Sequence, residues 1–204
     1  MNILETKVKK DKLSNVSPTR EEAEEAVRTL IKWAGDDPNR EGLLDTPKRV
    51  VSAYEEWFAG YSEDPETFLR KTFGDVENYS DPVLLKDIRF ESYCEHHLAP
   101  IIGKAHIAYI PSSKVVGISK LARLVNTFSK RLQVQEKMTY QIAKTLQNIL
   151  NPSGIAVLIE GEHHCMCTRG VNKTGASMIT SCYLGSYKDD KFMKDDFLGS
   201  ISKS

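Results

Sequence analysis

The sequence lacks the features that would send it to a membrane, an export route or a nucleic acid. Its 28 Lys and Arg are balanced by 28 Asp and Glu, so no broad field draws it to nucleic acid or lipid, and any anion site must be local. The longest apolar runs, such as Ile155–Ile159, are about a quarter of the roughly 20 residues a spanning helix needs. Residues 1–16 carry Lys7, Lys9, Lys10 and Lys12 but no apolar stretch and no small-residue cleavage site, so a cytoplasmic protein is expected. There is no Gly-rich phosphate loop and no dinucleotide fingerprint. Cysteine is scarce, four in 204 residues, and in a reducing compartment these are buried thiols, metal ligands or reactive groups rather than a disulfide framework.

What is present is an ordinary globular composition, with 40% hydrophobic and 27% charged residues, enough for one core. Residues 1–16 read as a flexible tail, 17–80 as a helical region and 81–204 as the catalytic domain. Ser17-Pro18-Thr19 opens a helix with Ala23, Val27, Leu30, Ile31 and Ala34 on its apolar face. Thr46-Pro47 opens a second whose expected buried stripe is Val50, Val51, Tyr54, Trp57 and Phe58, and Asp64-Pro65 a third. From Asp81 the period shortens, predicting strands over 85–93 and 101–110. Helices follow from about Ser119 and Val134, then strands over 155–166 and 176–187 and a terminal helix over 191–198. This order predicts an α+β domain with helices on one face of a four-stranded antiparallel sheet, whose two edges need covering or pairing.

Four of the five histidines and three of the four cysteines lie in Cys94-Glu95-His96-His97 and His163-His164-Cys165-Met166-Cys167. Cys94 and His97, three apart, suit zinc, and a third ligand from the second segment leaves one position open for water. Strand alternation places His163, Cys165 and Cys167 on one face, and by pattern Cys165 and Cys167 compete for the third place. A closed structural site using all four residues is the non-catalytic alternative. Arg169, Lys120 and Arg123, with the helix start at Ser119, are candidates for phosphate, against the plainer reading of a solvated helix face. Glu136 reads by itself as a charge stabilising a helix start.

At these residues the chain resembles GTP cyclohydrolase I, from about Thr19 to Tyr187. The likeness rests on Cys94–His97, Ala108-Tyr109-Ile110-Pro111, Gly117-Ile118-Ser119-Lys120, Gln133-Val134-Gln135-Glu136 and His163–Gly170. The resemblance implies the tunnelling fold, ββααββ after N-terminal helices, with sheets joined edge to edge into a barrel and a homodecamer of two pentamers. It implies zinc on Cys94, His97 and Cys165, with His96 and His163 at the reacting imidazole of the purine. Glu136 would anchor the guanine edge and Gln135 would also bind the substrate, Ser119 would lie near ribose and guanine, and Lys120, Arg123, Arg169 and Arg49 would hold the triphosphate. The implied reaction converts GTP to 7,8-dihydroneopterin triphosphate and formate, the first step of pteridine and tetrahydrofolate synthesis. Where some members carry a further Lys, this chain has Ser52. A nitrile reductase of the same fold, with a cysteine nucleophile and a nicotinamide cofactor, is the alternative enzyme, and the paired Cys94/His97 and Cys165 argue against it.

Overall fold

The computed structural model describes residues 17–73, 79–112 and 115–202; the tail expected over 1–16 lies outside them. The described residues form two compact units, divided between Glu55 and Glu56. In the first, helix α1 (Arg20–Trp33) is capped by Thr19, whose side chain and the Glu22 carboxylate satisfy each other's backbone N–H groups. The cap is therefore the last residue of the Ser17-Pro18-Thr19 opening. Arg20 ties α1 to the second helix by donating to Glu55 and to Ser52 Oγ. That helix, α2 (Thr46–Trp57), continues into the second unit. The stripe expected to be buried on α2 is not, since α2 buries only Pro47, and α1 likewise has no buried residue, with Leu30 64% exposed. Two helices cannot by themselves enclose two apolar stripes.

The second unit continues with α3 (Pro65–Leu69), capped by Asp64 with Pro65 in its first turn, and β1 (Thr72–Phe73). The long strands β2 (Val83–Cys94) and β3 (Pro100–Ile110) pair antiparallel. After β4 (Val115–Val116), which pairs with β1, come α4 (Ile118–Ser129), β5 (Leu132–Gln133) and α5 (Gln135–Leu150). Asn151, in the left-handed conformation, stops α5. Then follow β6 (Gly154–His163), α6 (His164–Cys167), β7 (Ser177–Gly185), α7 (Ser186–Asp189) and α8 (Lys191–Ser202).

The main sheet has the order β5-β2-β3-β6-β7. The four expected antiparallel strands are present, and the two-residue β5 adds a parallel edge beside Tyr93 and Cys94. Alternation along β3 sends Ala105, Ile107 and Tyr109 into a core shared with Leu121, Leu124, Met138, Ile142 and Leu146 of α4 and α5. Ala108, Ala156 and Leu158 face the other way and pack with Tyr187 and Phe197. Helices therefore cover both faces, because the C-terminal segment folds back over the side that α4 and α5 leave open. This ββααββ arrangement is the tunnelling fold.

His106, on the second face, is 6% exposed, and the Asp87 backbone N–H donates to its Nδ1 at 3.3 Å. Burial lowers its pKa; Asp87 and Glu160 oppose this, while Lys104 and Lys86 reinforce it. The unfolded chain then takes up a proton at a higher pH than the folded one. The neutral ring costs nothing above pH about 6.5, and stability falls as pH drops through that value. We expect the melting temperature of wild type to fall further than that of His106→Gln between about pH 7.5 and 5.5; parallel curves would refute this.

Candidate metal centre and active site

Cys94 is the last residue of β2, held by its N–H to Ala99 O and by parallel pairing with Gln133. The chain then turns back on itself, His97 N and Leu98 N both donating to Cys94 O, with Leu98 at φ 54°. This turn folds His97 over Cys94, with Nδ1 3.8 Å from Cys94 Sγ. The pairing of Ile101 with His163 brings the end of β6 alongside the same turn.

Here the structure corrects the sequence reading. The strand expected to reach Met166 ends at His163, and Cys165 arrives on the single helical turn of α6. Strand alternation therefore does not relate His163, Cys165 and Cys167. A helical turn separates the two thiols that alternation would have placed on one face, and it is Cys165 that lies near Cys94 and His97. The Cys167 thiol contacts Glu162 Oε1, His163 O and Lys173 O at 3.2 to 3.4 Å, away from the cluster. Glu162, which also accepts from Gly175 N, is held below the usual carboxylate range first by that N–H and then by the thiol.

Cys94 Sγ, His97 and Cys165 Sγ offer donor atoms all within 4.8 Å of one another. The 3.8 Å sulfur-to-nitrogen spacing is close to the roughly 3.6 Å between S and N donors around a tetrahedral ion, so this donor set can hold a metal. Burial and the neighbouring Cys94 raise the Cys165 pKa, the cost of two adjacent thiols that a bound cation would remove.

The cluster lies in a cavity of about 200 Å³ lined also by His96, Gln133, Val134, Gln135, Glu136, His163 and Met178. Glu136 sits in the first turn of α5, with its charge at the positive end of the helix. The pKa of His163 is lowered, by burial first and with Glu136 opposing. His96 is largely exposed, and Arg169 Nη1 lies 3.1 Å from His97 Nε2, at the rim. Ser119, Lys120 and Arg123 do not line this cavity. Lys120 donates to Lys71 O, and Arg123 lies over the Phe68 ring and 3.8 Å from Glu63. Arg49 belongs to the other unit, where it pairs with Asp45 and shares a surface depression with Lys48 and Ser52. Sequence reasoning missed Met178, which only folding brings to this cavity, and Lys48, whose neighbours Asp45, Arg49 and Ser52 lie within about one helical turn of it and were open to helical spacing.

The family model for GTP cyclohydrolase I matches residues 23–202. Over 190 residues the chain is 58% identical to GTP cyclohydrolase 1 of Maricaulis maris (strain MCS10), covering 93% of each protein. It is 60% identical over 187 residues to the Hyphomonas neptunium (strain ATCC 15444) protein of the same name, covering 92% of this chain and 91% of that one. Against the Pelagibacter ubique (strain HTCC1062) protein of that name it is 52% identical over 201 residues, covering 98% and 95%. A three-donor cluster, a separate imidazole and a carboxylate sharing one cavity thus occur in a chain that matches one enzyme over nearly its whole length, and the chain belongs to the GTP cyclohydrolase I family.

Proposed function

We propose that the cavity holds one zinc ion per chain and converts GTP to 7,8-dihydroneopterin triphosphate and formate, opening pteridine and tetrahydrofolate synthesis in the cytoplasm. The observation that carries this reading is the meeting of the Cys94–His97–Cys165 donors with His163 and Glu136 in one cavity. Two thiolates and an imidazole suit a borderline-soft ion, and three protein ligands leave a fourth position open. When bound, zinc supplies the Lewis acidity that makes water a nucleophile near neutral pH.

The chain's own residues do the rest. His163, outside the donor set, gives a proton to purine N7 as C8 becomes tetrahedral and later takes one back. His96 works on the same imidazole from beside Cys94. Glu136 accepts from guanine N1–H and the 2-amino group, and adenine would leave that carboxylate unpaired. Lys120, Arg123, Arg169 and Arg49 hold the triphosphate, with Lys48 supplying charge where Ser52 cannot, and Ser119 meets the ribose. That Ser119, Lys120 and Arg123 do not line the cavity of their own chain supports a site completed by a neighbouring copy. The nine-residue edge strand β7, with Ile179 62% exposed, supports edge-to-edge joining into a barrel and a decamer of two pentamers.

The test is to incubate zinc-loaded protein with GTP and follow formate and the pterin chromophore, with ATP as control. Formate from GTP alone is expected, and none from either nucleotide would refute the reading. Glu136→Gln, which replaces an acceptor by a donor, should weaken GTP affinity roughly 10- to 100-fold while zinc content stays at one per chain. Unchanged affinity would reduce Glu136 to a helix-start charge.

A further inference from the structure

We infer that Gln135 is a positioning residue for His163, fixing which ring nitrogen exchanges a proton with the purine, and that Thr180 and Thr139 hold Gln135 in that role. The inference rests on the proton-transfer role proposed above for His163. Gln135 is the first residue of α5 and is 1% exposed. Its Nε2 donates to Met178 O at 2.8 Å, Thr180 Oγ1 at 3.1 Å and Ile159 O at 3.2 Å. Backbone carbonyls only accept, so the NH₂ end of the amide must face β6 and β7. The other end, Oε1, lies 2.9 Å from His163 Nε2. An amide oxygen also only accepts, so His163 Nε2 must carry a hydrogen, and the lone pair of the neutral ring is on Nδ1.

The threonines give this arrangement a single polarity. Thr139 Oγ1 spends its one hydrogen on Gln135 O at 2.8 Å. In its 2.7 Å contact with Thr180 Oγ1, Thr180 must therefore be the donor, which leaves the Thr180 lone pairs for the Gln135 amide. The loop closes from amide to hydroxyl to hydroxyl to the backbone of the same Gln135. Gly161 leaves room for it: a Cβ there would lie 2.8 Å from Gln135 Oε1. With both ends of its amide engaged inside the chain, Gln135 acts through His163 rather than on the purine. In the transfer, Nδ1 takes up the proton that water loses as it adds to C8 and gives it to purine N7, while Nε2 keeps its hydrogen toward Gln135 throughout.

Steady-state kinetics of the zinc-loaded full chain test this. Gln135→Met keeps length and burial but removes the acceptor, and should lower kcat about 10- to 100-fold with KM for GTP and zinc content near wild type. A raised KM with kcat retained, or no change in either, overturns the inference. Should that variant not fold, Thr180→Val should lower kcat at unchanged KM and Thr180→Ser should restore it; wild-type turnover in Thr180→Val overturns it equally. His163→Ala in the same assay separates the two layers. If it keeps turnover, the role of His163 has failed. If it loses turnover while Gln135→Met does not, only the positioning inference has failed.

Discussion

Cys165→Ala is expected to purify without stoichiometric zinc and to release no measurable formate from GTP. Three donors gather within 4.8 Å, and removing one leaves a Cys94–His97 pair that cannot hold the ion against water. The loss should exceed the roughly 10- to 100-fold typical of removing a residue that merely supports a ligand. Cys167→Ala is the matched control. Its thiol contacts Glu162 and the His163 and Lys173 carbonyls, so that variant should keep its zinc. Metal analysis of the two proteins decides the point without reference to activity. Zinc retained in Cys165→Ala, or lost only in Cys167→Ala, would exchange the roles of the two thiols.

His163→Ala is expected to separate metal from proton transfer. The imidazole lies outside the donor set, half-buried, with Nε2 engaged by Gln135. Removing it should leave zinc and GTP binding intact and lower turnover by roughly 10²- to 10⁴-fold, the span of general acid–base catalysis. Zinc content, GTP binding and formate release are read on one sample. Zinc lost together with activity would make His163 a ligand and leave the site without its proton carrier.

The two variants differ by two positions in sequence, and the fold gives the two side chains different surroundings. His163 ends a strand and Cys165 sits within a helical turn. A strand continued through Cys167 would have put all three side chains on one face. The break at His163 points them to different partners.

Much of this was legible in the residues alone. Clustered Cys and His at a three-residue spacing mark a metal site because few other roles need those side chains so close. Alternation along 101–110 and the 3.6-residue stripes running from about Ser119 and about Val134 placed the core, because burial selects those periods. Thr46-Pro47 and Asp64-Pro65 marked helix starts through local backbone chemistry. Each of these signals acts over a few residues.

What the sequence left open were matters of distance between segments far apart in the chain. Which of Cys165 and Cys167 lies near Cys94 and His97 depended on where β6 stops. The helical cover on the second sheet face depended on α8 folding back, and the exposure of Leu30 depended on how little two helices can enclose. The polarity of the Gln135 amide was decided by carbonyls 24 and 43 residues away. Periodicity and spacing report on a residue's own element, whereas a ligand set or a proton's position is fixed by which elements meet, and only the packed chain determines that.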